Sequence, residues 1–181
     1  MKGREHLAIG ITATTVMGLA IFNLDKEQNL NYFIPLISGS IVGSYLPDID
    51  AEKSKASQTF NKILVIGLLL FAVVYKLNIS NRVIEILSTF IVQNRYSLYF
   101  IILVTLGKLS PHRMFTHKWF GTMLFFYTIY NLGNIYFTLG FIMGYTLHIV
   151  ADRFSGNGKY LNFFEFKLPC MNSKNKFSFK W

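Results

Sequence analysis

The 181-residue sequence has little cysteine, little acid and little charge overall. Cys170 is its one cysteine, so the chain can form neither an intrachain disulfide nor a cluster of thiolate metal ligands. Charged residues make up 15% of the chain, whereas a soluble domain carries about a quarter. The deficit indicates that lipid covers much of the surface. Any bound metal must use nitrogen and oxygen ligands.

Acidic residues are the scarcer of the two charged groups. Nine Asp and Glu stand against eighteen Lys and Arg, which gives a formal net charge of +9. Such an excess of positive charge suits either nucleic acid or anionic lipid. The long apolar segments favour lipid, and the basic C-terminal stretch contains no recognised nucleic-acid motif. We therefore expect anionic membrane lipids as partners and no nucleic acid.

Hydrophobic residues make up 52% of the chain and gather in six apolar stretches. A spanning helix needs about 20 apolar residues, and several of these stretches are shorter. The sequence predicts an all-α fold: a polytopic membrane helical bundle of about five to six transmembrane helices. The stretches cover residues 7–22, 32–46, 63–77, 96–109, 119–137 and 138–150, and an amphipathic piece covers 82–93.

Turn-forming residues divide these stretches. Gly133 and Asn134 interrupt the longest apolar region, which predicts a turn over residues 131–134. Pro47 favours an extended residue before it, so we expect the second helix to end there. We also expect a membrane-embedded domain over residues 1–155 and a basic, aromatic tail over 156–181.

The histidines of the chain all fall at predicted helix ends or in short polar motifs. If His6 lies at one face and every stretch crosses the bilayer, the later histidines and the nearby aspartates return to the same face. This topology puts fourteen of the eighteen Lys and Arg on that face, or nine against four without the tail. The positive-inside rule makes the richer face cytoplasmic. The sequence therefore predicts a multi-pass protein of the cell membrane with a polar site at its cytoplasmic face.

His148 and Asp152 are four residues apart near the end of the last stretch. That spacing puts both side chains on one face of a helix, one turn apart. A shared metal ion would offset the cost of placing ionisable groups near lipid. The alternative is a neutral histidine hydrogen-bonded to the aspartate as a structural pair.

Asp48 and Asp50 follow Pro47, with one residue between them. Two carboxylates so placed can bind one cation or bridge two. Taken alone, the pattern favours a simpler role, in which Asp50 caps the next helix. Ser54 and Ser57 are rival caps.

His112 and His117 are five residues apart, which on a continuous helix would turn them about 140° from each other. A turn must intervene if both bind at one site. Thr116 is expected to cap a helix beginning near Trp119. Arg113 can hold a phosphate oxygen. The alternative is a set of interfacial polar residues, with Arg113 in contact with lipid.

Taken together, these side chains predict a metal site. Histidine and carboxylate ligands without thiolate suit zinc best, with manganese or iron as alternatives. Seven candidates exceed the four ligands of one structural zinc, so they can hold two ions, or one ion with supporting partners. The candidates are His6, Asp48, Asp50, His112, His117, His148 and Asp152.

Three motifs follow His6: LPDID at residues 46–50, HRMFTH at 112–117 and GYTLHIVAD at 144–152. In this order they resemble the YdjM-type family of membrane-bound metal-dependent hydrolases, over about residues 1–155. The resemblance implies that the seven candidates are metal ligands. Lys118 stands where the family commonly has serine, so no hydroxyl role is expected there. The family is distantly similar to zinc-dependent phospholipases C, which implies phosphoester chemistry by analogy.

The favoured function is therefore metal-dependent hydrolysis of a phosphoester in a lipid or membrane-proximal substrate. Asp48 or Asp50 would accept the proton of an activated water. Arg113 would neutralise phosphate charge, assisted by Lys118 or Arg153. One alternative is a metal-ion transporter or sensor, since ionisable residues in a membrane often mark ion pathways. Another is a non-catalytic protein in which the metal joins helix ends.

Overall fold

The computed structural model describes residues 3–24, 30–76, 85–86, 88–89, 95–111, 113–154 and 163–164. Over these residues the chain is helical and contains no strand, which confirms the predicted all-α fold. The elements are α1 (Gly3–Leu24), α2 (Phe33–Tyr45), a 3-10 helix (Leu46–Asp50), α3 (Lys55–Lys76), α4 (Arg95–Leu109), α5 (Trp119–Tyr130) and α6 (Ile135–Phe154). Most of the predicted amphipathic piece and most of the predicted tail lie outside the described residues.

Helix length varies widely among these elements. Two helical segments are long and apolar enough to cross a bilayer, Glu5–Asn23 and Ile135–Phe154. By contrast, α2 has 13 residues and α5 has 12. Such helices are about 20 and 18 Å long, shorter than a hydrocarbon core of about 30 Å. The five to six crossings expected from the sequence therefore stay a prediction.

Helices α2 and α6 touch through their backbones, because glycine lines both sides of the contact. A Cβ atom built on Gly140 would lie 1.9 Å from the carbonyl oxygen of Leu36, and one on Gly39 would lie 2.1 Å from that of Phe137. Pairs of small residues four apart allow this close approach between membrane helices. The four glycines of the contact are Gly39 and Gly43 on α2, and Gly140 and Gly144 on α6.

Helix α1 packs against the same two helices and is tied to α2 by polar contacts. The Thr14 hydroxyl donates a hydrogen bond to Ser40 Oγ at 2.9 Å. The Tyr32 hydroxyl donates to the carbonyl oxygen of Gly18 at 3.0 Å. The packing buries His6, near the start of α1, against α6.

Helix α2 ends at Tyr45, but the chain continues as a 3-10 helix. Leu46 has φ −63° and ψ −39°, so the extended residue expected before Pro47 is not found. Proline is tolerated here because the first turn of a helix has no partner for its backbone N–H. The sequence therefore predicted the end of α2 correctly and its local geometry wrongly.

The 3-10 helix presents three different faces, because residues three apart eclipse each other in this geometry. Leu46 and Ile49 share one face and join the buried apolar core. Asp50 and the proline share the second, and the Thr116 hydroxyl donates to both the Asp50 carboxylate and the proline carbonyl, each at 2.9 Å. Asp48 occupies the third face.

Ser54 caps α3. Its hydroxyl oxygen accepts the backbone N–H of Ser57 at 3.0 Å and its hydroxyl donates to the carbonyl of Asp48 at 2.6 Å. The capping role favoured for Asp50 from its motif alone is therefore wrong, and the rival cap Ser54 takes its place. The Asp50 carboxylate is turned instead toward the segment that precedes α5.

Helices α5 and α6 are joined by the turn predicted over residues 131–134. Gly133 adopts φ +88°, a left-handed conformation that favours glycine. The Asn134 side chain caps α6 by accepting the backbone N–H three residues on, at 3.0 Å. Helix α5 begins at Trp119 as expected, but Thr116 does not cap it, since its hydroxyl is bonded to the 3-10 helix.

Substitution of one contact glycine tests the α2–α6 packing. Gly140→Ala should lower the free energy of unfolding by about 1–3 kcal/mol, because the new methyl group meets backbone that cannot yield easily. Gly67→Ala is the matched control, since a Cβ there has nothing within 4 Å. It should leave stability unchanged or raise it by up to about 1 kcal/mol. Thermal unfolding in detergent measures both, and equal stability of the two variants would contradict the packing.

Candidate metal centre

Four ligand-type side chains converge at one end of the bundle. Asp48 comes from the 3-10 helix, His117 from the segment before α5, and His148 and Asp152 from successive turns of α6. Each offers one ligand atom, and these atoms all lie within 4.8 Å of one another. Three of the residues are buried, and the Asp48 side chain is 22% exposed. The cluster therefore reaches the surface at Asp48.

The distances within the cluster suit a divalent cation. His117 Nε2 lies 3.5 Å from Asp152 Oδ2, and His148 Nε2 lies 3.5 Å from Asp48 Oδ1. Two ligand atoms on one tetrahedral zinc, each at about 2.1 Å, are about 3.4 Å apart. Two imidazoles and two carboxylates so spaced can hold one cation with small side-chain adjustments.

His148 is fixed in one orientation by the end of α2. Its Nδ1 lies 2.8 Å from the carbonyl oxygen of Ser44, an acceptor, so Nδ1 carries the proton. The other ring nitrogen, Nε2, is buried and makes no hydrogen bond to a described residue. Nε2 therefore faces the cluster and is the ring nitrogen available to a metal ion. Metal-bound histidines are commonly held by such a bond from the second nitrogen to a carbonyl.

His117 is held from the 3-10 helix side. Its Nδ1 lies 3.1 Å from the Thr116 hydroxyl and 3.7 Å from Asp50 Oδ2. Burial by itself lowers the pKa of this imidazole, but contacts with the carboxylates of Asp152 and Asp50 outweigh burial and raise the pKa to about 9. A cation binding here must displace that proton, so its affinity falls as the pH is lowered.

Asp48 stays ionised beside its histidine partner. Burial by itself raises the pKa of the Asp48 carboxyl, but contact with His148 outweighs it and holds the pKa below its ordinary value. The carboxylate form is the one that binds metal. Asp48 can therefore serve as a ligand throughout the neutral range.

His6 touches the cluster from α1 without belonging to the four. Its Nε2 lies 3.1 Å from Asp152 Oδ1, the oxygen on the opposite side of the carboxylate from His117. Its ring stacks on His148, with 4.1 Å between the ring centroids. Metal-bound carboxylates are often held by such outer hydrogen bonds. The geometry thus places His6 where it orients Asp152 and packs against His148.

Asp50 and Arg113 join the segment before α5 to the cluster. The backbone N–H of Arg113 donates to Asp50 Oδ2 at 2.7 Å, and its Nη2 lies 3.2 Å from Asp152 Oδ2. Arg113 adopts φ +62°, which an L-residue rarely does. The Asp50 side chain is fully buried, while that of Arg113 is 27% exposed. Arg113 thus reaches from the cluster to the surface.

The predicted ligands fall into three groups in the structure. It brings together Asp48, His117, His148 and Asp152 and places His6 and Asp50 in contact with them. His112 lies outside the described residues.

Three supporting residues were not predicted from sequence. Ser44 acts through its backbone carbonyl, which any residue would supply, so no side-chain signal marks it. Thr116 was read as a helix cap. Tyr145 donates from its hydroxyl to the Thr116 carbonyl at 2.6 Å, and its position three residues before His148 on α6 was the available signal.

Over the described residues the chain is helical, two segments are long and apolar enough to cross a bilayer, and a His/Asp cluster could hold a metal ion, a combination that fits a membrane protein with a candidate metal centre. The sequence model of the family described as YdjM inner membrane protein matches residues 1–163. The chain therefore belongs to the YdjM family, which confirms the family resemblance noted from its motifs, whereas the metal-dependent hydrolase activity stays a prediction. Neither the curated proteins nor the solved structures contain a significant match.

Metal content separates ligands from supporting residues. His148→Ala should reduce metal affinity by more than the about 10- to 100-fold typical of lost outer partners, because it removes a ligand atom. His6→Ala should fall within that 10- to 100-fold range, because it removes the bond to Asp152 and the stacking on His148 but none of the four clustered ligand atoms. Elemental analysis of purified protein, followed by zinc titration of chelator-treated samples, measures both.

The control for these variants is Glu52→Gln, which removes an exposed carboxylate close to Asp48 but outside the cluster. It should bind metal as the unaltered protein does. If His148→Ala and Glu52→Gln retained equal metal, the four side chains would not be the site.

Proposed function

We propose that this protein is a multi-pass membrane hydrolase that uses one or two divalent cations to cleave a phosphoester of a lipid or membrane-proximal substrate. The observation that carries the proposal is a buried His/Asp cluster that reaches the surface at Asp48, beside the guanidinium of Arg113. The nitrogen and oxygen donors favour zinc, with manganese or iron as alternatives.

The roles follow from position. Asp48, His117, His148 and Asp152 hold the cation. A divalent cation, when bound, supplies a Lewis acid that polarises a phosphoryl oxygen and acidifies water. Asp48 is the carboxylate placed to accept a proton, because part of its side chain reaches the surface.

Asp50 has a different role from Asp48 in this proposal. Its carboxylate is buried and already accepts hydrogen bonds from the Arg113 N–H and the Thr116 hydroxyl. A carboxylate so occupied is poorly placed to take a proton from water. We assign to Asp50 the positioning of Arg113 and His117.

Arg113 provides the phosphate contact. Its guanidinium lies against Asp152, and its partial exposure lets a substrate oxygen approach from the surface. Guanidinium groups match the geometry of phosphate and bind it with charge-assisted hydrogen bonds. Arg153, exposed beside Asp152 at the end of α6, can add positive charge, whereas Lys118 is buried.

The membrane arrangement is part of the proposal. Besides the two spans already described, α3 has 22 residues and exposes apolar side chains on every side, for example Leu68 at 61%. In water such an apolar surface would promote aggregation, whereas in a bilayer it would contact lipid. With the excess of Lys and Arg near the site, this pattern supports several crossings and a cytoplasmic metal centre in contact with anionic lipid.

Cysteine labelling tests this topology. In a Cys170→Ser background, Lys53→Cys places a thiol near the metal centre and Leu132→Cys places one in the turn between α5 and α6. A membrane-impermeant maleimide should label position 53 in inside-out vesicles and position 132 in right-side-out vesicles. Labelling of both positions from one side would contradict the arrangement.

Hydrolysis tests the enzymatic role. The purified protein, assayed against a panel of lipid phosphoesters, should lose activity with a chelator and regain it with zinc or manganese. Arg113→Gln should lower kcat by about 100-fold or more, as loss of a transition-state charge partner does. Arg113→Lys should retain part of the activity, and Glu52→Gln all of it. A metal-loaded protein that is inert toward the whole panel would overturn the proposal.

A structural role for the cation is the second candidate. The four side chains come from three separate segments, so a cation would crosslink the 3-10 helix, the segment before α5 and α6. Metal binding then contributes directly to folding free energy. In that case chelation would lower the melting temperature while no phosphoester is cleaved.

A further inference from the structure

An apolar cavity of about 450 Å³ lies beside the 3-10 helix. Leu46 and Ile49 line it from that helix, Phe60 from α3, and Phe100 and Val104 from α4. Its volume falls within the range of about 300–1,000 Å³ typical of small-molecule sites. A lining of this kind suits hydrocarbon.

The cavity and the metal centre share one wall. Ile49 faces the cavity while its neighbour Asp48 faces the cluster, because consecutive residues of a 3-10 helix point to different sides. A molecule in the cavity therefore lies against the element that supplies a predicted metal ligand. This proximity sets the cavity apart from the rest of the apolar surface.

Polarity changes over a single helical turn at one end of this cavity. Val104 lines the apolar cavity, whereas Lys108, four residues further along α4, lines a second cavity of about 610 Å³ whose charged residues are Asp50, Glu52, Lys53 and Lys108 itself. Lys55 lies in the apolar cavity's own lining, at the start of α3. Lys53, Lys55 and Lys108 thus lie near the end of the apolar cavity where the lining changes from apolar to polar.

We propose that the apolar cavity binds one acyl chain of an anionic glycerophospholipid, whose phosphate lies on the side of Lys55. The apolar lining would contact the acyl chain, and the lysines would attract the negatively charged headgroup. A substrate role for this lipid rests on the proposed function. Binding of the lipid in the cavity does not. Lipid that merely surrounds the protein would not depend on one side chain of this cavity.

Lipid binding is measured by native mass spectrometry of the full chain in detergent, with dioleoyl phosphatidic acid as the probe. Ala56→Phe fills the cavity, since Ala56 belongs to its lining, and Ala72→Phe adds the same ring to an exposed position of α3 outside it. Each methylene group left in water weakens binding about fourfold. Ala56→Phe should therefore weaken binding by about tenfold or more, and Ala72→Phe should not.

Two further comparisons leave the apolar side chains of the cavity unaltered. Dihexanoyl phosphatidic acid should bind the unaltered protein at least about tenfold more weakly than the dioleoyl lipid, because its chains fill less of the cavity. Lys55→Gln should weaken phosphatidic acid about fivefold and leave dioleoylglycerol unchanged. Lys62→Gln, on an exposed lysine outside the lining, is its control.

The outcomes separate this inference from the hydrolase proposal, because the binding measurements are repeated with chelator-treated Asp48→Asn protein, which lacks the proposed hydrolytic centre. If lipid binds as expected but the metal-loaded protein cleaves no phosphoester, acyl-chain binding in the cavity is supported and the hydrolase proposal is rejected. Three outcomes would overturn acyl-chain binding in the cavity: equal binding of lipids of both chain lengths, equal binding by Ala56→Phe and Ala72→Phe, or a stable dimer that covers the cavity. None of them would bear on hydrolysis, which has its own test.

Discussion

The backbone contact between α2 and α6 determines the geometry of the candidate metal centre. Glycines on both helices bring the two main chains together, so the Ser44 carbonyl lies 2.8 Å from His148 Nδ1. That bond fixes the proton on one nitrogen and leaves the other for the cluster. The 3-10 helix that continues α2 then carries Asp48 to 3.5 Å from the same ring. The glycines of the α2–α6 contact, which lie outside the cluster, thus determine which nitrogen of His148 faces it.

The charges of the centre are balanced within a small volume. Three carboxylates lie close together there, and burying them unpaired would be costly. Asp50 is satisfied by the segment before α5, and Asp152 by His6, His117 and Arg113. Asp48 is the partly exposed member of the cluster, and the buried Nε2 of His148 makes no hydrogen bond to a described residue. A divalent cation at the cluster would add the positive charge that balances these carboxylates.

The sequence predicted the helical segments, the turn at 131–134 and the gathering of ligand-type residues, because hydropathy and residue spacing encode these features directly. The assumption that every apolar stretch crosses the bilayer was enough to predict that Asp48, His117, His148 and Asp152 lie together, although the crossings themselves stay a prediction. Local geometry was harder to predict. Whether Asp50 or Ser54 caps α3 depends on which oxygen reaches one N–H, and the 3-10 turn at Pro47 depends on the packing of its faces. The different positions of Asp48 and Asp50 also depend on side-chain direction, which spacing does not encode.

The order of synthesis adds a consequence of how the centre is assembled. His6 and the 3-10 helix leave the ribosome early, whereas His148 and Asp152 belong to α6, the last helix that the structure describes. Chains grow at about 5–20 residues per second and fold from the N-terminus as they emerge. A nascent chain that lacks α6 has Asp48 and His117 but neither His148 nor Asp152. If the cluster binds a cation, its full set of four side chains is available only after α6 has been synthesised, so occupancy of the site would report a chain completed through α6.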